Sequence, residues 1–261
     1  DGWTPIGEGN RAVASKNYDG NYAGEHAEAR IFNGEFDGQN HTISNLNNKG
    51  FVPTFTTDGG NGNSYCYGFF GILSTGAKVH NIKFANVEID AKDTIKAKNG
   101  SNVIGDSVGS LAGFIDGDVE IYDITVLSGH VTAFDCASGV IGRWYDATHD
   151  STLRGIHNSA TVTVAGDSGA KAAGVLAIFS HKKQNKTWKL TFNDCDNTGN
   201  ITSSVYGDAI ACINSATVNT NNSKYEFDID CSNCGTISCS DSAKEGTFHS
   251  MGAFHNWTLE E

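Results

Sequence analysis

Apolar and polar residues alternate in short runs along most of the chain. KVHNIKFANVEI from Lys78, VEIYDITVLSGHV from Val119, LRGIHNSATVTV from Leu153, KLTFNDCDNTGNI from Lys189 and YEFDIDCSNCGTI from Tyr225 share the habit. A period of two marks a half-buried strand, because successive side chains leave a strand on opposite faces. Between these runs lie short apolar segments framed by Gly or Ala. They are YGFFGIL from Tyr67, VGSLAGFI from Val108, ASGVIGRW from Ala137, AAGVLAIF from Ala172, GDAIACIN from Gly207 and HSMGAFHN from His249. Anchored on Gly71, Gly113, Gly142, Ala177, Ala211 and Ala253, they recur every ~30–40 residues, the spacing of repeat architectures.

The last two runs match in phase, Cys195-Asp-Asn197-Thr-Gly199-Asn-Ile201 against Cys231-Ser-Asn233-Cys-Gly235-Thr-Ile237. Such matching predicts that equivalent residues stack in successive coils, with Asn158, Asn197 and Asn233 as a hydrogen-bonded ladder. Polar stretches of unequal length separate the repeats, as at 56–64, 91–102 and 180–187. One unit type with variable loops describes an all-β solenoid with excursions. A propeller or sandwich needs more strands per repeat. The one helical candidate is Tyr22–Arg30, YAGEHAEAR, placed to cap the open first coil.

Composition supports the strands. Gly numbers 31 and Pro only 2, Asn is frequent, and Ile, Val, Thr, Phe and Tyr recur while Leu is scarce. β-branched and aromatic residues suit strands, and Gly and Asn tolerate the positive φ of tight corners. The net charge of −12 repels phosphate and anionic lipid, which argues against nucleic-acid and membrane-surface partners. No apolar run reaches the ~20 residues of a spanning helix. A chain that opens on Asp1 suggests a processed piece of a longer exported protein. Seven cysteines leave at least one unpaired if the others form disulfides. Cys231, Cys234 and Cys239 lack the matched second pair of a zinc knuckle, so small-hydrophobe packing in the interior is the better reading.

The N-terminal half has a further signature. WTPIG at 3–7 is followed by FNGEFDGQNHTISNL at 32–46, then GFFG at 68–71, SLAG at 110–113 and GVIG at 139–142. This order resembles the GLUG repeat regions of bacterial surface proteins, some of which accompany IgA1-specific metallopeptidases. The likeness covers about residues 1–145 well and the remainder loosely, since Ala177 and Ala211 replace the second glycine. It implies a right-handed parallel β-helix, here of about six or seven coils, forming one domain over 1–261 on an exported bacterial protein. Within that frame Phe32, Phe36, Ile43 and Leu46 are core candidates, and Gly34 and Gly38 make corners.

No catalytic constellation emerges. A zinc peptidase needs H-E-x-x-H on one helix face, and none of the nine histidines has that context. Asp37 beside His41 reads as an Asp-Gly turn entering a strand, and GDSGAK at 166–171 as a polar turn. Asp116, Asp118 and Glu120 in DGDVEIYD, which also contains Asp123, are the strongest acidic cluster. They could solvate a turn, gather calcium with hard oxygen ligands, or form the carboxylate pair of a polysaccharide hydrolase. For binding, RWYDATHD groups Arg143, Trp144, Tyr145, Asp146 and His149 after an anchor, on what reads as a loop. Trp188 and Tyr206 could join them from neighbouring coils. Aromatic faces with adjacent polar groups suit sugar rings, although packing over a coil edge accounts for the same residues. The expectation is a non-enzymatic, extracellular or cell-surface module that binds glycan or host protein without a cofactor, calcium excepted. A β-helical polysaccharide-degrading enzyme and a structural spacer are the alternatives.

Overall fold

The computed structural model describes residues 2–8, 31–53, 64–98, 100, 102–166, 170–181, 187–213, 224–233, 235–239 and 245–250. The candidate helix at 22–30, the anchor Ala253 and residues 167–169 of GDSGAK lie outside them. Each alternating run folds as two strands rather than one. The first halves, Lys78–Ala85, Glu120–Val126, Ser151–Asn158, Thr187–Asn197 and Lys224–Asn233, stack in parallel with Glu35–Asp37 and Thr42–Ser44 as the first side. The second halves, Val87–Ala91, Gly129–Ala133, Thr161–Val164, Ile201–Ser203 and Ile237–Cys239, form the second side.

The Gly-framed segments build the third side, an eleven-stranded sheet bent along its middle. One arm contains Ser64–Tyr67, Asn102–Val108, Cys136–Ser138 and Lys171–Ala173. The other contains Phe70–Ser74, Ala112–Asp116, Ile141–Ala147 and Leu176–His181, and Tyr206–Ile213 runs through both. The pairings between turns are parallel, and the antiparallel exception is Ile95–Lys96 against Asn102–Val103 within one turn. The chain is therefore a β-solenoid, with no helix among the described residues. About four turns are complete, at 78–116, 120–147, 151–181 and 187–213, with partial turns at 35–74 and 224–250. That is fewer than six or seven, because each terminal anchor belongs to an incomplete turn.

Alternation sends one face of every strand inward. Val79, Ile121, Leu153 and Phe192 form one register column, and Ile82, Ile124, Ile156 and Cys195 the next, all buried. Ile89, Val131, Val162 and Ile201 line the second side. Among the candidates in FNGEFDGQNHTISNL, Leu46 is buried, and Phe32, Phe36 and Ile43 pack half-buried against the core.

The asparagine ladder is present at the corner between the first and second sides. Asn158 and Asn197 are fully buried, and Asn158 Nδ2 donates to Asn197 Oδ1 at 2.8 Å. The same corner is tied by Ala160 N–H donating to Asn158 Oδ1 and by Asn197 Nδ2 donating to the Gly199 carbonyl. A buried amide left unsatisfied costs about 1–3 kcal/mol; here each amide caps its own corner and its neighbour's. The backbone of Asn233 continues the column.

Glycine and asparagine divide the corner work differently from the expectation. Gly38 is not left-handed; Gln39 and Asn40 are, with φ of 50° and 60°. A Cβ at Gly38 would lie 2.5 Å from the Asn81 carbonyl oxygen of the next turn, so close approach demands that glycine. Gly113 and Gly142 are likewise not left-handed. A Cβ on Gly142 would lie 2.5 Å from Gly113 O and from Val108 N, where the two arms of the third side meet. Left-handed residues also recur at Asn81, Asp123, Gly155 and Asp194, one in each first-side strand of the four complete turns. Each breaks the in–out alternation of its strand while the four stay in register, and Asn, Asp and Gly are the residues that accept this geometry. Two columns change at the C-terminal end. Phe192-Asn-Asp-Cys195 opposes only Ile229-Asp-Cys231, and Leu176 rather than Ala177 pairs with Ala211.

Candidate functional site

The segment RWYDATHD is not a loop. Arg143 to Ala147 continue the strand Ile141–Ala147, so the side chains alternate instead of clustering. Trp144 points inward, 1 % exposed, with its indole N–H donating to the Gly117 carbonyl at 2.8 Å and its ring edge-on to Phe179. Trp144 is core. Arg143 and Tyr145 leave the other face, but the bent third side covers them with its own second arm. Tyr145 is half-buried, edge-on to Phe114 at 5.7 Å, between Cys66, Ile72 and Phe114 on one flank and Cys136, Ala173, Ala177 and Ile178 on the other.

Arg143 lies at the centre of this notch, 4 % exposed. Its Nη2 donates to Asp106 Oδ1 at 3.0 Å and to the Asp106 carbonyl at 3.3 Å, and it pairs with Asp135. Burial works against the guanidinium charge, but Cys136, Asp106, Tyr145 and Asp135 outweigh it and hold its pKa above the ordinary value. Burial raises the Asp135 carboxyl, an effect reinforced by Asp106 and opposed by Arg143 and Lys171. Burial also pushes the Cys136 thiol up to about 11. Lys171 and Tyr206 share the Cys136 register column. These charges hold the two arms together; a thiol of that pKa is protonated and unreactive at neutral pH.

The other candidates are separate. His149 is exposed and meets the Asp118 carboxylate at 2.8 Å. Asp118 also accepts the backbone N–H groups of Thr148 and His149, at 2.7 and 3.0 Å, and the Thr148 hydroxyl. Burial raises this carboxyl, but the Thr148 and His149 hydrogen bonds outweigh it and lower the pKa. Asp118 does not share a strand face with Glu120, because the strand begins at Glu120 and Asp118 ties the preceding turn. Asp116 is buried at the end of Ala112–Asp116, whereas Glu120 is exposed. Among the described residues no three His, Cys, Asp or Glu side chains gather closely enough to hold one metal ion. Trp188 sits in the strand Thr187–Asn197 and Asp146 in Ile141–Ala147, and the side chains of both lie outside the described residues.

A concavity lies elsewhere, on the outer surface of the second side. A groove of about 780 Å³ lies between the turn at 45–51, the strand Val87–Ala91 with the loop after it, and His130 and Thr132 of the next turn. Phe51 and Ile95 give it apolar surface. Glu88, Asp90 and Asp93 supply carboxylates, and Asn45, Asn47, Asn48 and Asn86 supply amides. The walls are built by those amides. Asn48 imitates a neighbouring strand, donating from Nδ2 to the Asp90 carbonyl at 2.6 Å and accepting the Asp90 N–H at 2.9 Å. Asn47 donates to the Asn45 carbonyl and accepts the Lys49 N–H. Asn45 and Asn86 hold left-handed φ of 62° and 54° at successive corners.

The carboxylates are outward. Glu88 and Asp90 alternate on one strand face, with His130 beside Glu88 at 3.2 Å and Lys92 on Asp90 at 2.7 Å. All four of these side chains are about half exposed or more. Behind the lining residue Phe51 packs Tyr65, 1 % exposed, with ring centroids 5.7 Å apart. Its hydroxyl has no hydrogen-bond partner. Burial pushes its pKa well above the ordinary phenol value, and the carboxylates that add to the effect are Asp90 and Asp93.

The sequence reading missed this groove. The signal available to it was the pairing of Glu88-Ile-Asp90 with His130-Val-Thr132, which appears once the runs are stacked. A smaller polar surface on the first side stacks His80 on Tyr122 at 4.6 Å, with Arg154 4.9 Å from the same ring, which leaves neither tyrosine face open. No family model, no curated protein and no solved structure matches this chain.

Proposed function

We propose that the chain is a non-enzymatic module displayed outside the cell, which binds glycan through the groove on its second side. The observation that carries this reading is the groove itself, with polar hydrogen-bonding walls over an apolar floor, the lining that suits a ring with hydroxyls at its edge and C–H groups on its face. The GLUG-like order of motifs and the net acidic charge support an exported setting. The test is a glycan array probed with the intact chain and with the Asp90→Asn variant. Binding that weakens in the variant supports the reading; a blank array sinks it.

One observation favours polysaccharide hydrolysis as a second reading. Residues two apart on a strand are ~6.6 Å apart along it, near the ~6.5–9.5 Å carboxylate separation of inverting glycosidases. Glu88 and Asp90 are so placed, yet each already faces a basic partner. Release of reducing ends from a polysaccharide panel, abolished by Glu88→Gln, would replace binding with catalysis.

A further inference from the structure

We infer that the groove selects a saccharide carrying free amino groups, of the deacetylated hexosamine class; this rests on the reading of the groove as a glycan site. Two of the four lining amides are committed to the backbone: Asn48 pairs with Asp90, and Asn47 closes its own turn through Asn45 and Lys49. The charged groups that line the groove are Glu88, Asp90 and Asp93, against Lys49 and His130. An ammonium group is the partner that three outward carboxylates favour, since charge-assisted hydrogen bonds are about twice as strong as neutral ones.

The spread of the acids suits an extended occupant better than a single ion. They do not converge tightly enough for one metal ion among the described residues, so an extended ligand with several positive charges fits better than a single ion. The existing pairs, His130 with Glu88 and Lys92 with Asp90, are solvent-exposed. Pairs of that kind are worth about 0–1 kcal/mol, so a ligand amine displaces them at little cost.

Tyr65 supplies an independent indication. Its buried hydroxyl lacks a partner behind Phe51, and the charges that bear on it are Asp90 and Asp93. An orphaned donor costs about 1–3 kcal/mol. A ligand that draws either carboxylate inward over Phe51 gives that hydroxyl an acceptor and recovers this cost on binding. The floor of Phe51 and Ile95 then faces the sugar ring, and this separates a saccharide from a bare polyamine.

The test is calorimetric titration of the full chain with glucosamine oligomers, N-acetylglucosamine oligomers, glucose oligomers, oligolysine and calcium chloride. Glucosamine oligomers should bind at least about tenfold more tightly than the acetylated and glucose oligomers and than oligolysine. Glu88→Gln/Asp90→Asn should reduce that affinity by about tenfold or more with circular dichroism unchanged. Tyr65→Phe should weaken glucosamine binding and leave residual glucose binding unaltered. Equal affinity for acetylated and free-amine oligomers overturns the amine inference while the groove remains a glycan site. Oligolysine binding as tightly as the oligosaccharide overturns the saccharide class. Saturable calcium binding that is lost in the double variant overturns both occupants in favour of a metal. No binding by any oligosaccharide removes the glycan reading itself.

Discussion

The notch of the third side and the groove of the second side hold the same ingredients in opposite circumstances. Each combines carboxylates, a basic residue, a tyrosine and apolar surface. In the notch Arg143 is buried between Asp106 and Asp135, and the pairing is internal. In the groove Glu88 and Asp90 are exposed and weakly paired, and the Tyr65 hydroxyl behind Phe51 lacks a partner. The difference arises from the backbone. The third side bends at each Gly-framed anchor, so its outward side chains face one another across the angle. The second side is not bent back on itself, so its outward side chains meet solvent. Charges in the first place hold the fold; charges in the second face solvent.

The largest expected effect separates the two regions by stability. Arg143→Ala leaves Asp106 and Asp135 in a low-dielectric notch without their cation, and breaking a buried pair costs about 3–5 kcal/mol. Glu88→Gln in the groove should change stability by less than about 0.5 kcal/mol, as surface substitutions usually do. Chemical denaturation of both variants measures the contrast directly. Equal effects would mean that the notch charges are solvated and that the two regions are alike.

The ladder corner gives a middle-sized effect. Asn158→Ala removes the donor to Asn197 Oδ1 and the acceptor for Ala160 N–H in the interior, an expected loss of about 1–3 kcal/mol. Asn197→Ala should cost a similar amount. The double variant should cost less than the sum, since each single change already orphans the partner. Strict additivity in denaturant melts would show that the two amides do not act as a ladder.

These regions also mark where sequence reading succeeds and where it stops. Alternation identified the strands, and the in-phase asparagines at 197 and 233, with 158 added, pointed to a ladder, because side-chain period is a local property. The left-handed column of Asn, Asp, Gly and Asp at 81, 123, 155 and 194 was not read from the sequence, because it shows only once the register between turns is known. The burial of Arg143 was not legible. Alternation says which face a residue leaves, not whether a second arm of the same sheet covers that face. Trp144 was misplaced for a related reason: Gly142 and Arg143 both lie between the inward Ile141 and Trp144, which shifts the simple period by one residue. The groove escaped notice because its residues come from 45–51, 86–95 and 130–132 and converge only through inter-turn pairing. Exposed acids at alternate positions of an ordinary strand look like a solvated face until the next turn is laid beside them.

The smallest expected effect is a difference in pH response between two carboxyls of the third side. Asp135 in the notch has a folded pKa above its unfolded value, because burial and Asp106 outweigh Arg143 and Lys171. The folded state then holds a proton that the unfolded state releases, so stability falls as pH rises from the ordinary carboxylate range through the raised pKa. Asp118, bonded by Thr148 and His149 near the surface, has a folded pKa below its unfolded value. Its contribution is complete above the ordinary carboxylate range and is lost as pH falls through the lowered pKa. The two carboxyls therefore bend the stability profile in opposite directions. Asp118→Asn should flatten the acid limb of Tm against pH and leave the region just above the carboxylate range unchanged. Asp135→Asn should flatten the decline in that upper region and leave the acid limb in place. A profile in which both variants flatten the same limb would show that the notch carboxyl is as solvated as the one beside His149, and the contrast between covered and open faces would fail with it.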